Sequence, residues 1–596
     1  MTHVSPNISA QHLPTLAGRD MERLEKKRIK GHTYYYYAKW GRVNGKCRRL
    51  WQKYLGKPED ILHAVEGGGP RPQYAEVFHF GLAETLWQEC QRANIIGHID
   101  GHCPKREQGL SPGEYLALAA LNRASHPLSK SAMFDWFAAT TLRRHFPHAS
   151  KAAFASQRFW DHMTRLESAT TLAIWKAIIT EVIAREAISL SSVCYDGTNF
   201  YTFIDTFNTQ CQVAKRGKNK QGRSNLRQVS YALFCHADAQ VPLYYEVYEG
   251  NRNDTKQFPV MIQKFHDFLT NSFGGTIDAP QVTLIFDKGN NSKENFRLID
   301  TLKLHYVGSI KLGEVKELAE IAHQDSRWAS CQTIGLETTK CFRVTKEMYG
   351  KERTMIVTYN QHLFHTQYLT LQHDIAKAIT ELSALQQKLL DRTAGLIKGG
   401  KCPTVDSLTK QCQTILRRQY LKSIITCTVE KGDKNVPQLA YDIDSEVLNK
   451  LSDTSLGKNI IVTDREHWSN DQIIVAYRSQ FNIENVFKEM KDRDIGSWWP
   501  LYHWTDQKIS VHGFYCTIAL LLRALAHWRV KEAGIAISMK RLLAELDEIK
   551  EVIILYPRKR GTKTARHHTV LSKTSELQQS LLSVLQVNTE ETAPLG

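Results

Sequence analysis

The sequence predicts an α/β protein built on a mixed β-sheet with flanking helices. β-rich runs and helical periodicities alternate between residues 188 and 310 in the order β-β-β-α-β-α-β. Right-handed crossovers in that order allow the first and fourth strands to lie side by side and parallel, so that their carboxyl ends share one edge. The 596 residues are too many for a single hydrophobic core, so we expect the sheet to be one of several folding units.

Composition indicates a globular chain with an anionic partner. Hydrophobic residues make up 42% and charged residues 23% of the sequence, which are ordinary values for a folded domain. The chain has 78 Lys and Arg against 61 Asp and Glu, a formal net charge of +17 that favours nucleic acid as partner. Charge alone also fits ribosomal factors, membrane-surface proteins or a need for solubility.

The cysteines and apolar runs predict a reduced, cytoplasmic protein without a membrane anchor. The 12 cysteines include no CxxC pair, and no signal-like segment follows Met1. The longest apolar stretch, Cys516 to Ala526, is interrupted by Arg523 and is shorter than the roughly 20 residues that span a bilayer.

Residues 1–75 are predicted to form a basic β-hairpin region. Two aromatic-rich strands between Thr33 and Leu55 surround Asn44-Gly45, which suits a type I′ turn. Basic and aromatic side chains alternate there, a mixture that can hold phosphates: Lys39, Arg42, Lys46, Arg48, Arg49 and Lys53 with Tyr34, Tyr36, Trp40 and Trp51. The alternative is a solvated hairpin that packs one face on its own domain.

Residues 76–187 are predicted to be helical and to bind DNA. Ser111-Pro112 followed by Glu114 forms a capping box with proline in the first turn. A second helix over Ser129 to Ala139 makes a helix-turn-helix conceivable, and ordinary helical packing is the alternative.

Residues 188–310 are predicted to form the first part of an α/β core, and residues 311–458 an α+β insertion domain. The core segments are the strands Ile188 to Tyr195, Leu226 to Cys235, Val241 to Tyr248, Val282 to Phe286 and His305 to Ile310, with helices Asp254 to Leu269 and Lys293 to Leu302. Within the insertion the sheet pattern is lost, and the predicted elements are the strands Cys341 to Val344 and Arg353 to Tyr359 and the helix Leu371 to Leu390.

Residues 459–535 are predicted to complete the core, and residues 536–596 to form a basic C-terminal region. The second core part has a strand, Asn459 to Thr463, and a helix, Asn470 to Arg493, capped by Ser469. A basic loop in the C-terminal region fits either phosphate contact or a solvated turn: Arg558, Lys559, Arg560, Lys563, Arg566, His567 and His568.

Two aspartates end predicted parallel strands. Asp196 follows Val193-Cys194-Tyr195, and Asp287 follows Leu284-Ile285-Phe286. Side chains at the carboxyl ends of parallel strands project into a crevice, where two carboxylates repel unless they share a proton or a cation. Such oxygen ligands suit Mg²⁺ or Mn²⁺. The alternative for each aspartate is the capping of a turn.

A third acidic residue lies on a polar stripe of the predicted 470–493 helix. At about 100° per residue, Tyr477, Gln480, Glu484 and Lys491 fall within about 60° of one another, with Lys488 at the edge. The neighbouring apolar face is expected to pack on the domain: Ile483, Val486, Phe487 and Met490. The opposite face is expected to be solvated: Asn482, Asn485, Glu489 and Asp492. An ordinary solvated flank is the alternative for the stripe.

These features resemble bacterial insertion-sequence transposases of the DDE type. That family carries a helix motif of Tyr, two residues, Arg, three residues, Glu, six residues and Lys, and this chain has Tyr477, Gln480, Glu484 and Lys491 at those positions. Gln stands where Arg is usual, which removes a charge from a phosphate contact. Similar elements elsewhere are Arg216-Gly217, Gly250-Asn251, Asp254-Thr255, Asp287-Lys288-Gly289, Trp468-Ser469, Pro500-Leu501-Tyr502-His503 and His512.

The resemblance implies a ribonuclease H-like core interrupted by the insertion, and two-metal phosphoryl transfer. In that family three acids, here Asp196, Asp287 and Glu484, hold Mg²⁺ ions roughly 3.5 to 4 Å apart, and Mn²⁺ is expected to substitute. Tyr477, Gln480, Lys488 and Lys491 would contact DNA. The expected partners are double-stranded DNA, as element ends and as target, and a second copy of the chain on paired ends in the bacterial nucleoid.

The function implied is cleavage at the terminal inverted repeats of an insertion sequence, followed by strand transfer. Trp498 and Trp499 either stack on a displaced base or pack in the core. A nuclease without strand transfer and a transposase-derived DNA-binding protein are the alternatives. Glycoside hydrolysis by paired carboxylates fits the basic charge poorly.

Overall fold

The computed structural model describes residues 21–43, 46–65, 72–103, 109–218, 222–273, 281–557 and 566–589. The strands are β1 (Met21–Ile29), β2 (His32–Val43), β3 (Lys46–Gly56), β4 (Tyr74–His79), β5 (Ser192–Thr202), β6 (Lys215–Arg216), β7 (Arg227–His236), β8 (Pro242–Glu249), β9 (Thr283–Phe286), β10 (His305–Ile310), β11 (Ala329–Ser330), β12 (Thr339–Met348), β13 (Lys351–Asn360), β14 (Ile425–Lys431), β15 (Pro437–Ile443), β16 (Lys458–Thr463), β17 (Lys550–Tyr556) and β18 (Arg566–Leu571).

The helices of the same residues vary from single turns to the long α11 and α17. They are α1 (Pro58–Val65), α2 (Gly81–Arg92), α3 (Ile95–His102), α4 (Pro112–Ser125), α5 (Met133–Ala138), α6 (Ser156–Thr164), α7 (Ser168–Glu186), α8 (Asp254–Phe273), α9 (Lys293–Thr301), α10 (Lys316–Ala319), α11 (Gln361–Thr393), α12 (Val405–Ile415), α13 (Leu421–Ile424), α14 (Ser445–Thr454), α15 (Asn470–Arg478), α16 (Gln480–Lys491), α17 (Asp506–Glu532), α18 (Met539–Asp547) and α19 (Glu576–Val584).

The chain divides into two units, and the smaller one joins both ends of the sequence. It comprises the described parts of Met1–Phe78 and of Lys550–Lys573. Its first sheet has the order β1-β2-β3, and its second has the order β18-β17-β4. The predicted segment boundaries at residues 75 and 536 do not coincide with this division, because the C-terminal strands share a sheet with β4.

The first sheet has one strand more than the predicted hairpin. Met21–Ile29 pairs with β2 along its whole length, although its run of Glu, Lys and Arg has no apolar alternation. The predicted turn at Asn44-Gly45 lies outside the described residues. In the C-terminal region, Arg566, His567 and His568 lie in strand β18 and not in a loop. Arg558, Lys559, Arg560 and Lys563 lie outside the described residues.

The larger unit, His79–Ile549 with Thr574–Gly596, contains a ten-stranded sheet. At its centre the strand order is β8-β7-β5-β9-β10. The pairs β8/β7 and β7/β5 are antiparallel, and the pairs β5/β9 and β9/β10 are parallel. This is the ribonuclease H-like order that the resemblance implies, so the predicted fold class is confirmed.

Alternation along the central strands separates two faces of this sheet. Tyr195 and Phe286 pack against Phe258 of α8, with ring centroids 5.2 and 5.0 Å apart. The neighbour of Tyr195 points to the other face, because the Cys194 thiol lies 3.5 Å from the Ser479 carbonyl oxygen between α15 and α16. Residues of β5 with even numbers therefore face α15 and α16.

The sheet pattern is not lost in the region predicted as the insertion. β16 pairs with β10, β13 pairs with β16, and β12 and β11 follow, all antiparallel. The prediction was wrong on this point because β12 and β13 join the sheet only through β16, which lies a whole subdomain later in the sequence. The remaining insertion consists of α11 to α14 and the two-stranded β14-β15 sheet around its own hydrophobic core.

The helices before the sheet form a packed layer. Nearly every residue of α4 is buried, and the capping box of Ser111 and Glu114 is present at its start. The following helix, α5, has six residues and buries Met133, Trp136 and Phe137. Both helices of this pair thus contribute buried side chains to the packed layer.

The long helix α17 is central to the larger unit. It packs on α2, α4, α7 and β8. Its length and composition would allow it to cross a membrane, but 94% of its most apolar window is buried inside the protein, as in a core helix. All 12 cysteines are free thiols.

Candidate active site

Asp196 lies inside strand β5 and not at its end. The strand continues to Thr202, and Asp196 pairs with Leu233 of β7. The pairing with β9 on the other side stops at Cys194 and Ile285, however, so Asp196 lies two residues beyond the last position at which β5 has that neighbour. Its Oδ1 accepts a hydrogen bond from Gly197 N at 2.7 Å. Strand β9 thus ends at Phe286, beside Asp287, while β5 continues past Asp196.

Asp287 follows the last residue of β9 and begins a short helical turn over Lys288–Asn290. Ile285 and Cys194 are partners across the parallel pair. Asp287 lies two residues beyond Ile285, and Asp196 lies two residues beyond Cys194. The two aspartates thus occupy matched positions on the same face of neighbouring strands. Both are half-buried.

Thr255 holds the turn that follows Asp287. Its Oγ1 donates a hydrogen bond to the Gly289 carbonyl oxygen at 2.9 Å, and Asn295 Nδ2 donates to the Asn290 carbonyl oxygen at 2.6 Å. Asn295 was not among the predicted site residues, because nothing in its local sequence distinguishes it from other helix residues. These bonds fix the backbone direction at the end of β9.

Glu484 lies on α16, which packs along β5. The helix is anchored at both ends to residues on the Asp196 face of that strand. Cys194 contacts Ser479 just before the helix, and Lys491 at its last residue is hydrogen-bonded to Thr198. Glu484 lies between these anchors and is exposed. The third predicted acid is thereby brought to the same face as the two aspartates.

Tyr477 links Glu484 to Asp287 electrostatically. Burial is the main cause that raises the pKa of its phenol, while hydrogen bonding with Ser309 and Asn459 opposes the rise. The negative charges of Asp287 and Glu484 raise it further. Both carboxylates therefore favour the protonated form of the Tyr477 hydroxyl.

The other three predicted DNA-binding residues differ in their surroundings. Lys491 is half-buried, and its Nζ lies 5.6 Å from the centre of the Phe200 ring. Lys488 is exposed, with its Nζ 5.0 Å from the centre of the Phe481 ring. Gln480 is only 7% exposed. The helix predicted over residues 470–493 is broken at Ser479, which separates Tyr477 from the other members of the stripe.

The face of α16 that was expected to be solvated is turned inward, so that expectation was wrong. Asn482 Nδ2 donates to the Ala237 carbonyl oxygen at 2.7 Å. Burial raises the pKa of Glu489 to about 7, against the opposing charge of Arg523. The guanidinium of Arg523 is itself buried and donates from Nε to the Ala124 carbonyl oxygen at 2.8 Å. The exposed side of the helix is instead the one that carries Phe481, Glu484 and Lys488.

The two tryptophans beyond α16 pack against β5. Trp498 is fully buried and stacks on Phe200, with centroids 4.2 Å apart and planes 10° from parallel. Trp499 is half-buried against Tyr201, with centroids 4.8 Å apart. Trp498 is thus a core residue, as the second of the two sequence interpretations held.

The donor chemistry of the three acids fits a hard divalent cation. They offer carboxylate oxygens only, which Mg²⁺ and Mn²⁺ prefer. Within the described residues, two groups of potential ligands have all their donor atoms within 4.8 Å of one another: His79 with His126 and Asp547, and Cys331 with Cys341 and Asp471. The acidic triad is not among these closely spaced groups of the described residues.

Comparison with known proteins gives a match over the same region. The family described as "Transposase DDE domain" matches residues 191–522, which include β5, β9 and α16. No curated protein matches the sequence. Among solved structures, a piggyBac transposase in a synaptic complex with hairpin DNA aligns at 10% sequence identity with a TM-score of 0.32, covering 78% of each chain.

Membership of this family implies nuclease or transposition chemistry with divalent metal ions. The match spans more than half of the chain and contains all three acids of the site. The protein belongs to the transposase DDE-domain family.

Proposed function

We propose that this protein is the transposase of an insertion sequence. It binds the terminal inverted repeats of the element, cleaves DNA there and joins the freed ends to target DNA. The observation that carries the proposal is the matched placement of Asp196 and Asp287 on one face of β5 and β9, under the helix that presents Glu484. A basic chain with a net charge of +17 suits the polyanionic substrate.

Two phosphoryl transfers make up the reaction. In the first, a water oxygen attacks a phosphorus at the element end, the bond from phosphorus to the 3′ oxygen breaks, and a free 3′ hydroxyl remains. In the second, that hydroxyl attacks a phosphodiester of the target, so that one new bond forms and one target 3′ hydroxyl is released. The same three acids serve both steps.

Asp196, Asp287 and Glu484 would hold the Mg²⁺ ions. When bound, such ions supply positive charge to the attacking and leaving oxygens. The two aspartates are fixed by strand pairing and by the Thr255 hydrogen bond to the Gly289 carbonyl. Glu484 is the adjustable member, because it is exposed on α16 while the aspartates are half-buried.

Two basic residues of α16 would orient the DNA. Lys491 is hydrogen-bonded to Thr198, two residues beyond Asp196, so its ammonium group is suited to a phosphate beside the acids. Lys488 is exposed on the same helix and would contact the backbone farther out. Tyr477, whose pKa is raised by burial and by the charges of Asp287 and Glu484, would stay protonated and donate a hydrogen bond to a phosphate oxygen. Gln480 is too buried to contribute more than support.

The decisive test uses Asp287→Ala in the full chain and a labelled duplex that carries the sequence flanking the gene. We expect wild type to cleave it with Mg²⁺ or Mn²⁺, and the variant to lose cleavage by at least three orders of magnitude while binding DNA as before, since its ion would lack a ligand. Asp406→Ala, an exposed carboxylate of α12, is the matched control and should cleave normally.

Product analysis separates the alternatives. Joined products that contain both element and target sequence support a transposase. Cleaved ends that are never joined to target DNA would indicate a nuclease. Metal-dependent cleavage by Asp287→Ala would refute the assignment of the site. Binding without cleavage by wild type under all metal conditions would leave a DNA-binding protein.

A further inference from the structure

We infer that one face of the β1-β2-β3 sheet is a docking surface for duplex DNA, with its lysines and arginines on the phosphates and its aromatic rings against the groove. The inference rests on the proposed function only in taking DNA as the substrate. It concerns the smaller unit, which contains none of the three acids.

The pairing register assigns every side chain of the sheet to one of two faces. Residues opposite each other in an antiparallel pair project to the same side, and neighbours along a strand alternate. The β2-β3 register shifts at two places, where Leu50 and Leu55 of β3 have no partner on β2. On either side of these two residues, the faces are assigned from the partners in β2. The face that we call the basic face carries Leu24, Lys26, Arg28, Tyr35, Tyr37, Lys39, Lys46, Arg48, Trp51 and Lys53 together with Glu22.

Three of the four cations of the opposite face have partners on that face, and Arg42 is the fourth. Arg49 Nη1 lies 3.2 Å from a Glu25 carboxylate oxygen, and Arg23 Nε lies 3.5 Å from the other. Lys27 Nζ donates to Gln52 Oε1 at 3.0 Å and lies 4.5 Å from the centre of the Tyr36 ring. This face therefore engages most of its cations in contacts of its own, and Arg42 remains exposed.

The basic face is not neutralised in this way. Its single acid, Glu22, accepts a hydrogen bond from Tyr37 at 2.8 Å and lies 3.9 Å from the Lys39 ammonium. Within the part of the chain that the structure describes, its other five cations form no ion pair or hydrogen bond: Lys26, Arg28, Lys46, Arg48 and Lys53. Six positive charges thus stand against one negative charge on three short strands, a strong attraction for a polyanion.

Exposed rings accompany these charges. Trp51 is 43% exposed and packs beside Tyr37, which is 37% exposed, with centroids 5.8 Å apart and ring planes tilted by 58°. Leu24, on the neighbouring strand, is 56% exposed. Apolar side chains left in water amid cations need a partner that offers both charge and flat apolar surface. Duplex DNA offers both, because β-strands fit its major groove with phosphates on either side and thymine methyl groups on its floor.

The experiment compares neighbouring arginines that point to opposite faces. Full-length Arg48→Gln changes the basic face, and Arg49→Gln changes the other face by the same chemistry. Affinity for a duplex of mixed sequence is measured by fluorescence anisotropy across a range of salt concentrations. We expect Arg48→Gln to weaken binding and to reduce the slope of log affinity against log salt by about 0.9, the value for one lost phosphate contact. Arg49→Gln should leave that slope unchanged.

A second pair guards against misfolding of one variant. Lys53→Gln on the basic face should repeat the result of Arg48→Gln, whereas Lys27→Gln on the other face should not. Trp51→Ala should weaken binding at every salt concentration with the slope unchanged, because it removes apolar contact and no charge. All variants are compared with wild type for thermal midpoint.

Equal slopes for Arg48→Gln and Arg49→Gln, in folded proteins, would overturn the inference. So would a loss of binding to vesicles of anionic lipid by Arg48→Gln while its affinity for duplex is unaltered, which would make the face a membrane contact. Asp287→Ala should bind with the wild-type slope, so the binding measurement tests this face even if no cleavage is found. Conversely, cleavage would still support the proposed function if this face binds no DNA.

Discussion

Glu489 is a titratable residue of helix α16 whose carboxyl group is buried in the core. Its pKa is raised to about 7, chiefly by burial, so the folded protein holds a proton that the unfolded chain releases above its ordinary pKa near 4.5. Unfolding therefore releases a proton between these values, and stability falls as pH rises from about 4.5 to about 7. The loss is at most about 1.4 kcal/mol per pH unit, or roughly 3 kcal/mol in all.

We predict that Glu489→Gln removes this dependence. Relative to wild type, the thermal midpoint of the variant should rise as the buffer is changed from pH 5 to pH 8, because the amide cannot ionise. Glu352→Gln, at an exposed position on β13, provides the comparison and should follow wild type throughout. Parallel curves for Glu489→Gln and wild type would mean that the carboxyl ionises as freely in the folded protein as in water.

Individual site residues could be predicted from the sequence to different degrees. Asp196 and Asp287 follow apolar β runs, and their matched positions depend on local strand pattern and parallel pairing, both of which periodicity indicates. Gln480 was expected beside the phosphates but is buried, and Glu489 was expected in solvent but faces Arg523. Helical periodicity predicts which side chains share a face of a helix. Which other element packs against that face depends on segments far away in the sequence.

At the scale of elements, the junction between β8 and α8 determines where Asp287 is held. Gly250 follows β8, and its carbonyl oxygen accepts a hydrogen bond from Gln228 Nε2 at 2.6 Å. A Cβ at Gly250 would lie 1.8 Å from the backbone oxygen of Gln228, so no side chain fits without movement of β7 or β8. The chain then enters α8, whose Thr255 supports the turn after Asp287.

We predict that Gly250→Ala destabilises the protein by about 1–3 kcal/mol or more and slows cleavage. The added methyl group displaces the start of α8 and with it the hydrogen bond from Thr255 to Gly289. Gly101→Ala is the matched control, because a Cβ there meets nothing within 4 Å and alanine favours the helix. The thermal midpoint and the cleavage rate are measured for both, and an unchanged midpoint for Gly250→Ala would contradict the close approach.

Element boundaries were predictable only where local pattern and pairing agree. The strands of the central sheet were found from their apolar runs, but β5 continues past Asp196 because β7 pairs with it as far as Thr202. The glycine at position 197, inside this strand, locally predicts a turn. Strand β1 was missed because its sequence is mostly charged, and both of its faces lie near the surface. The ends of these strands are determined by their partners in the sheet, which cannot be predicted from sequence periodicity.

At the scale of the whole molecule, the insertion leaves and re-enters the sheet at one point. Tyr359 of β13 and Lys458 of β16 are partners, and Asn360 N donates to the Gly457 carbonyl oxygen at 2.9 Å. Between these residues the chain forms α11 to α14 and β14-β15, with a separate core that includes Leu382, Leu408 and Ile424. The long sequence separation of Asp287 and Glu484 therefore reflects an added subdomain and not a disrupted sheet.

We predict that this subdomain and the sheet fold independently of each other. The fragment 361–456 should unfold in one cooperative thermal transition, because its apolar side chains are buried among themselves. Leu382→Asp should abolish that transition, whereas Ser383→Asp, at the exposed neighbouring position, should preserve it. Conversely, a chain in which a short glycine-rich loop replaces residues 361–456 should keep slow amide exchange in β13 and β16, since the ends to be joined are already one hydrogen bond apart. A fragment without a transition, or rapid exchange in both strands of the shortened chain, would mean that the insertion and the sheet form a single cooperative unit.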